Sequence, residues 1–426
     1  MKLRVLTEAS PKLFTAGLIL TAALMPLDRL QDLATAFPYA ATIAFLLMIQ
    51  YPAVVLLTRR RVRLSPIIAL AMGLPLVSAA VTSASAYSQA LAWSTTALLV
   101  FVVVRGWLAA QFISRGQLEI FERAVLIVAA LVAVFGCYQY VGDVYGLSNA
   151  WTGLLASYSS TATYPFPRVQ SVALEPLYLA HYLLLPIGLM LVRALRRQWR
   201  VHWLERLNLV LVLTVFLLTL SRGAILGLVM SLVVLLIGAR SWRLLWYIAR
   251  YGLAAIVLTT GFVAWAGSVQ KQSTVGIFAG HAVDLNDESA RTRYDLWPQA
   301  WEIFRAYPLD GVGPYNSRLL VHDKEPTADA TAVAKLQPLN NDYLAYVAEQ
   351  GVVGILLVLP LAALVLMALW AVWQQRFVHP AGPYAFAMIG MAFEANAFHS
   401  ILLLRTWIVI GLLVAGWRLF RERSKA

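Results

Sequence analysis

Several short stretches of this chain set arginine, carboxylate or amide side chains inside apolar sequence. Arg222 stands in Ser221-Arg222-Gly223 between two strongly apolar runs. Joined, those runs would make a helix of roughly 50 Å, too long for one membrane crossing, so the chain must fold back there. Arg222 then lies at or just inside the lipid boundary, where an arginine costs about 2.5 kcal/mol or more unless paired or hydrated. It either snorkels to the interface or receives an anion.

Arg291 and Arg293 fall in the first turn of a helix predicted from Asp287 or Ser289 to about Tyr307. The positive end of the helix macrodipole opposes a cation there, and a bound anion reverses the sign. Free backbone N–H groups with two guanidinium groups suit a phosphate, whose oxygens take bidentate bonds from arginine. Pairing with Asp287, Glu288 or Asp295 explains the same arginines equally well. Arg168 precedes Glu175-Pro176 at the head of another apolar run. A carboxyl expected one to two turns inside a membrane helix faces a partner or a wet cavity. Glu175 is therefore a candidate for chemistry, or else an ion-pair partner of Arg168 or Arg222 that fixes helix packing. Pro176 would loosen the helix behind it. Asn340-Asn341-Asp342-Tyr343 with Glu349-Gln350-Gly351 forms a further polar cluster at a span entrance, where Asn340 or Asn341 suits a helix cap.

Other chemistries lack a pattern. The six histidines show no ligand spacing, no phosphate-binding loop, nucleophile elbow or HExxH occurs, and the single cysteine, Cys137, builds no disulfide framework. No metal site and no cofactor is expected.

The elements that must position these residues are membrane helices. Of the 426 residues 60% are apolar and 13% charged, with a mean hydropathy of +0.71, beyond what a water-soluble domain carries. Apolar runs of spanning length recur near 13–27, 33–57, 64–84, 88–109, 123–142, 171–192, 204–220, 223–239, 248–267, 345–373, 381–398 and 402–418. The expectation is an all-α, polytopic membrane helical bundle of about twelve spans forming one membrane domain over 1–426, with the N-terminal run as its first span. Placing both termini in the cytoplasm puts most Lys and Arg inside and most Asp and Glu outside, as the positive-inside rule requires. The net charge of +13 is thus an insertion signal with a secondary attraction to anionic lipid, and no nucleic acid is expected as partner. The segment 268–344, between the ninth and tenth spans, becomes a large, partly helical outer loop. Its predicted helix carries Leu296, Trp297, Ala300, Trp301 and Phe304 on one apolar face.

Three segments taken in order resemble the family of O-antigen polymerases and O-antigen ligases, membrane glycosyltransferases acting on polyprenyl-diphosphate-linked sugars. The first is Leu220-Ser221-Arg222-Gly223-Ala224. Next comes Arg291-x-Arg293 through Trp297, Trp301 and Phe304 to Tyr307-Pro308-Leu309-x-Gly311-Val312-Gly313. Last is Asn340-Asn341-x-Tyr343-Leu344, continuing to Glu349-x-Gly351-x-x-Gly354. The likeness covers about residues 165–360. Family ligases carry a histidine where this chain has Asn340, whereas the paired asparagines, Arg168 and Leu174-Glu175-Pro176 look more like the polymerase branch.

The resemblance implies an enzyme of the bacterial inner membrane, active on the periplasmic side, that joins undecaprenyl-diphosphate-linked oligosaccharides to an acceptor glycan, with membrane lipids and a chain-length regulator as further partners. Arg222 and Arg291 would stabilise the departing diphosphate and Glu175 would take the acceptor's proton. Arg168, Arg293, Tyr294, Tyr315, Asn340 and Asn341 would bind substrate; for Trp297, core packing competes with sugar stacking. The rival readings are a ligase that transfers the finished glycan to lipid A core or a protein hydroxyl, and a glycolipid flippase.

Overall fold

The computed structural model describes residues 2–27, 36–57, 64–161, 166–271, 274–283, 288–322, 336 and 339–423. The described residues contain helices and no strand. In chain order the helices are α1 (Lys2–Leu24), α2 (Ala36–Leu57), α3 (Pro66–Ala84), α4 (Gln89–Phe112), α5 (Arg115–Val144), α6 (Asn149–Thr152), α7 (Pro176–Arg196), α8 (Trp203–Leu218), α9 (Arg222–Ala239), α10 (Trp242–Gln270), α11 (Thr274–Val283), α12 (Glu288–Ala306), α13 (Ser317–Val321), α14 (Asp342–Gln374), α15 (Gly382–Glu394) and α16 (Leu404–Arg423). Each apolar run expected to span overlaps one of these helices over its described residues. Among the described residues seven helices, α3, α4, α5, α7, α9, α10 and α14, are long and apolar enough to cross a bilayer. The protein is an all-α, multi-pass membrane protein.

The chain divides into two compact units, one built from 1–62, 113–284 and 372–391, the other from 63–112, 285–371 and 392–426. In the first unit α7 is the central helix: 89% of its apolar window is buried within the protein, against 28% for α10, whose apolar surface is left for lipid. A buried ion pair ties α7 to α5, with Arg193 Nη2 3.0 Å from Glu122 Oε2. The Tyr384 hydroxyl donates to the other Glu122 oxygen at 3.2 Å, so neither charge is left bare. Glu175 corrects one expectation. It is the N-cap residue of α7, with extended backbone, and lies outside the helix. Pro176 occupies the first helical position, where its missing N–H costs nothing, so it starts the helix instead of loosening it.

In the second unit α4 packs against α3 and α16. The amphipathic face of α12 is rotated from the one expected. Leu296, Ala300 and Ile303 enter a core with Val312, Leu339, Ala345 and Ala348, while Trp301 is 46% exposed. The spacing i, i+4, i+7 keeps the three buried residues on one stripe, and the bulky indole at 301 lies outside it. Trp301 instead stacks on Phe304, with ring centres 5.2 Å apart.

Candidate functional site

In the first unit the break between α8 and α9 sets the geometry around Arg222. Helix α8 ends at Leu218 with Thr219 as its C-cap, Leu220 takes a left-handed conformation with φ 52°, and Ser221 is the N-cap of α9. Arg222 therefore occupies the first helical position, half-buried, with its guanidinium at the positive end of a helix dipole, where an anion is favoured. The segment leading to α7 crosses this break. The Val169 N–H donates to Leu218 O at 3.1 Å, the Arg168 N–H to Tyr158 O at 2.9 Å, and Arg168 Nε to Thr219 O at 3.3 Å. The Arg168 guanidinium lies 5.7 Å from the Tyr158 ring centre. Burial pushes the Tyr158 hydroxyl up to about 12; Glu175 adds to that rise and Arg168 opposes it. Arg168 and Glu175 thus share one neighbour beside the break that places Arg222.

The second unit builds its polar cluster around a broken helix. At Gly351 the backbone of α14 leaves helical geometry, with φ 56° and ψ −156°. A break strands backbone donors and acceptors, which must find partners elsewhere. The loop after α12 supplies them. Val312 and Gly313 donate to Ala348 O and Glu349 O at 3.2 and 2.8 Å, and Val352 and Val353 donate to Pro308 O and Leu309 O at 2.9 and 3.0 Å. This close approach needs glycine twice. A Cβ on Gly351 would fall 2.5 Å from Leu309 O, and one on Gly311, itself at φ 65°, would fall 2.4 Å from the Glu349 carbonyl carbon. The motif glycines on both sides of the contact therefore form one joint.

That joint holds polar side chains together. Glu349 accepts from the Ser317 hydroxyl at 2.6 Å. Tyr315, at φ 67°, lies under Arg318, whose guanidinium carbon is 3.9 Å from the ring centre. Burial pushes the Tyr315 hydroxyl up, against the pull of Arg318. Asn341 caps α14, its Oδ1 accepting from the Leu344 N–H at 3.0 Å, while Asn340 makes the preceding left-handed turn at φ 48°. Asp342 accepts from the Ser400 N–H at 2.9 Å, from the Ser400 hydroxyl at 2.6 Å and from the Ile401 N–H at 3.4 Å. His399 Nδ1 stands 3.4 Å from Asp342 Oδ1, and its ring centre is 6.0 Å from that of Tyr315. Burial first, then Arg318, pushes the imidazole down to about 3, so the ring is neutral near pH 7. Tyr315, Asp342, Glu349, Gln350 and His399 line a cavity of about 20 Å³, room for roughly one water.

Of the residues singled out in the sequence, the structure gathers Arg168, Glu175 and Arg222 in one unit, and Tyr315, Asn340 and Asn341 in the other. The side chains of Arg291, Arg293 and Tyr294 lie outside the described residues; the backbone places them in the first turns of α12. His399, Ser400 and Arg318 were missed. Ser400 is 58 positions from Asp342, and neither spacing nor motif links the loop before α16 to the start of α14.

A family model described as O-Antigen ligase matches residues 207–359, from α8 through the break at Gly351. The match takes in less than half of the chain and is a similarity to that family over this segment; it does not separate ligase from polymerase. Among curated proteins none matches the chain.

Proposed function

We propose that this protein is a glycosyltransferase that polymerises polyprenyl-diphosphate-linked oligosaccharide repeat units into O-antigen or a related surface polysaccharide at the periplasmic face of the inner membrane, with both termini in the cytoplasm. The observation that carries this reading is the family-matched segment 207–359. It contains Arg222 at the start of α9, Arg291 in the first turn of α12, and the polar cluster built on Gly351. Transfer from a lipid diphosphate develops negative charge on the leaving group. Preorganised arginines at helix N-termini stabilise that charge, a task that elsewhere falls to a divalent cation. Arg222 and Arg291 are assigned to the diphosphate, and Arg168 and Arg293 to its flank. Tyr294, Tyr315, Asn340 and Asn341 are assigned to sugar, with the tyrosine rings as stacking surfaces. Attack by the acceptor hydroxyl on the face opposite the leaving group inverts the anomeric centre. The Glu175 carboxylate is assigned to accept the hydroxyl proton.

The description of the matching family favours a second reading, a ligase that moves the lipid-linked glycan to lipid A core or to a protein hydroxyl. Purified protein given only a polyprenyl-diphosphate-linked repeat unit separates them. A ladder of chain lengths is the expected product, and its persistence in EDTA is expected from arginine-based stabilisation. A single transfer that appears only after a lipid A core or protein acceptor is added would establish the ligase. Flux of the glycolipid across reconstituted vesicles without new glycosidic bonds would make it a flippase.

A further inference from the structure

We propose that the groove between α5 and α8 is a binding site for one anionic phospholipid, with its phosphate on Arg123 and an acyl chain along the groove. The site lies wholly in the first unit and does not depend on the glycosyl-transfer reading. On α5, Ile127, Leu131 and Val134 are large apolar side chains left exposed, and their spacing of i, i+4 and i+7 puts them on one stripe of the helix. On α8, Leu204 and Leu207 are exposed and Leu211, half-buried, continues the stripe. These side chains line a groove of about 590 Å³. Asn208 Nδ2 donates to Leu126 O at 3.1 Å, which ties the two walls together.

Size and charge together select the occupant. From Arg123 to Val134 the groove follows α5 for about 16 Å at 1.5 Å per residue, and one leaflet fills about 15 Å of the hydrocarbon core. At about 30 Å³ for each water-sized group, its 590 Å³ takes one long acyl chain. An undecaprenyl tail is several times longer and would overrun it. The charged side chains of the groove are Arg123, Arg193 and Glu205. Arg193 is paired with Glu122 at 3.0 Å and Glu205 with Arg197 at 3.0 Å, so these charges cancel. Arg123 is exposed, and no ion pair engages it among the described residues. The groove therefore carries one uncompensated positive charge beside apolar walls. A phosphate monoanion balances it through bidentate bonds from the guanidinium, whereas a zwitterionic lipid brings its own cation and leaves the charge standing. Helix α8 runs about 21 Å from Leu204 to Leu218, and Arg222 follows the break there. The charged mouth and Arg222 thus lie at opposite ends of α8, so this phosphate is not the diphosphate assigned to Arg222.

The test uses the full chain, purified in a non-ionic detergent and stripped of lipid. It is titrated with phosphatidylglycerol, phosphatidylethanolamine or phosphatidylcholine of matched acyl chains, and bound lipid is counted by native mass spectrometry. Wild type should hold one phosphatidylglycerol about tenfold more tightly than either zwitterionic lipid. Arg123→Gln should abolish that preference. Arg243→Gln should keep it, because Arg243 is an exposed arginine at the start of α10, outside the groove. Ala130→Phe, which places a ring in the groove, should weaken all three lipids; if that variant fails to fold, Arg123→Gln and the lipid series decide. Equal binding of the three lipids by wild type, or no retained lipid, would overturn the proposal, as would an intact preference in Arg123→Gln. Displacement of phosphatidylglycerol by an equal or lower concentration of undecaprenyl phosphate would also overturn it, and would make the groove a seat for the substrate's tail.

Discussion

Replacing Gly351 with alanine should unfasten the joint on which the second unit's polar cluster is built. The residue sits at φ 56° and ψ −156°, a conformation in which any side chain costs about 1–3 kcal/mol. Space is equally restrictive: the added Cβ would meet Leu309 O at 2.5 Å, Leu309 C at 2.6 Å and Pro308 O at 2.8 Å. These are backbone atoms, so the loop itself must move. Moving it weakens the bonds that Val352 and Val353 donate to Pro308 and Leu309, each of net value about 1 kcal/mol. Strain and lost bonds together give a destabilisation of about 3–5 kcal/mol. The assay is unfolding of the detergent-solubilised protein, with amide hydrogen exchange at Val312, Gly313, Val352 and Val353 as the local readout. Gly261→Ala is the control, because nothing lies within 4 Å of its Cβ position in α10 and alanine there should stabilise by about 0.5–1 kcal/mol. If Gly351→Ala unfolds with wild type and the four amides stay protected, the joint is not what holds the cluster.

Three further outcomes follow from the geometry. Asn341→Ala should cost about 1 kcal/mol by removing the cap from the Leu344 N–H, read as a lower unfolding midpoint; an unchanged midpoint would contradict the capping role. Glu122→Ala should destabilise by about 3–5 kcal/mol, because Arg193 and Tyr384 lose the carboxylate between them in a buried setting; a melting temperature equal to wild type would count against it. His399 binds a proton more readily unfolded, at about 6.5, than folded, at about 3. Its contribution to stability is therefore complete above about pH 6.5 and declines as pH falls toward 3. His399→Gln should flatten the pH dependence of the melting temperature in that window, and an unaltered slope would refute the burial argument.

The helices were legible because membrane spanning writes itself into composition: an uninterrupted apolar run leaves the backbone no partner but itself. The break before Arg222 was legible for the same reason, since length alone forbids one continuous crossing, although α8 and α9 do not pack on each other as a tight hairpin would. The start of α7 was misplaced because hydropathy counts the apolar residues before Glu175 toward the helix, whereas the chain there is bent and Gln139 Nε2 donates to Ser171 O at 2.9 Å. The stripe on α12 was misjudged by giving Trp301 the weight of its size. His399 could not be reached at all. Its relation to Asp342 arises from two loops brought together by tertiary packing, and a lone histidine carries no local pattern. The glycines of the two motifs were visible as motifs, but their physical reason, the interlocked break at Gly351, required coordinates.

Mass spectrometry of the products formed from a defined polyprenyl-diphosphate-linked oligosaccharide by wild type and by Arg222→Ala tests the central claim most directly. Wild type should yield glycans longer by whole repeat units together with free polyprenyl diphosphate, while a folded, membrane-inserted Arg222→Ala should yield neither. Elongated glycan from Arg222→Ala in wild-type amount would contradict the assignment of that guanidinium to the leaving group.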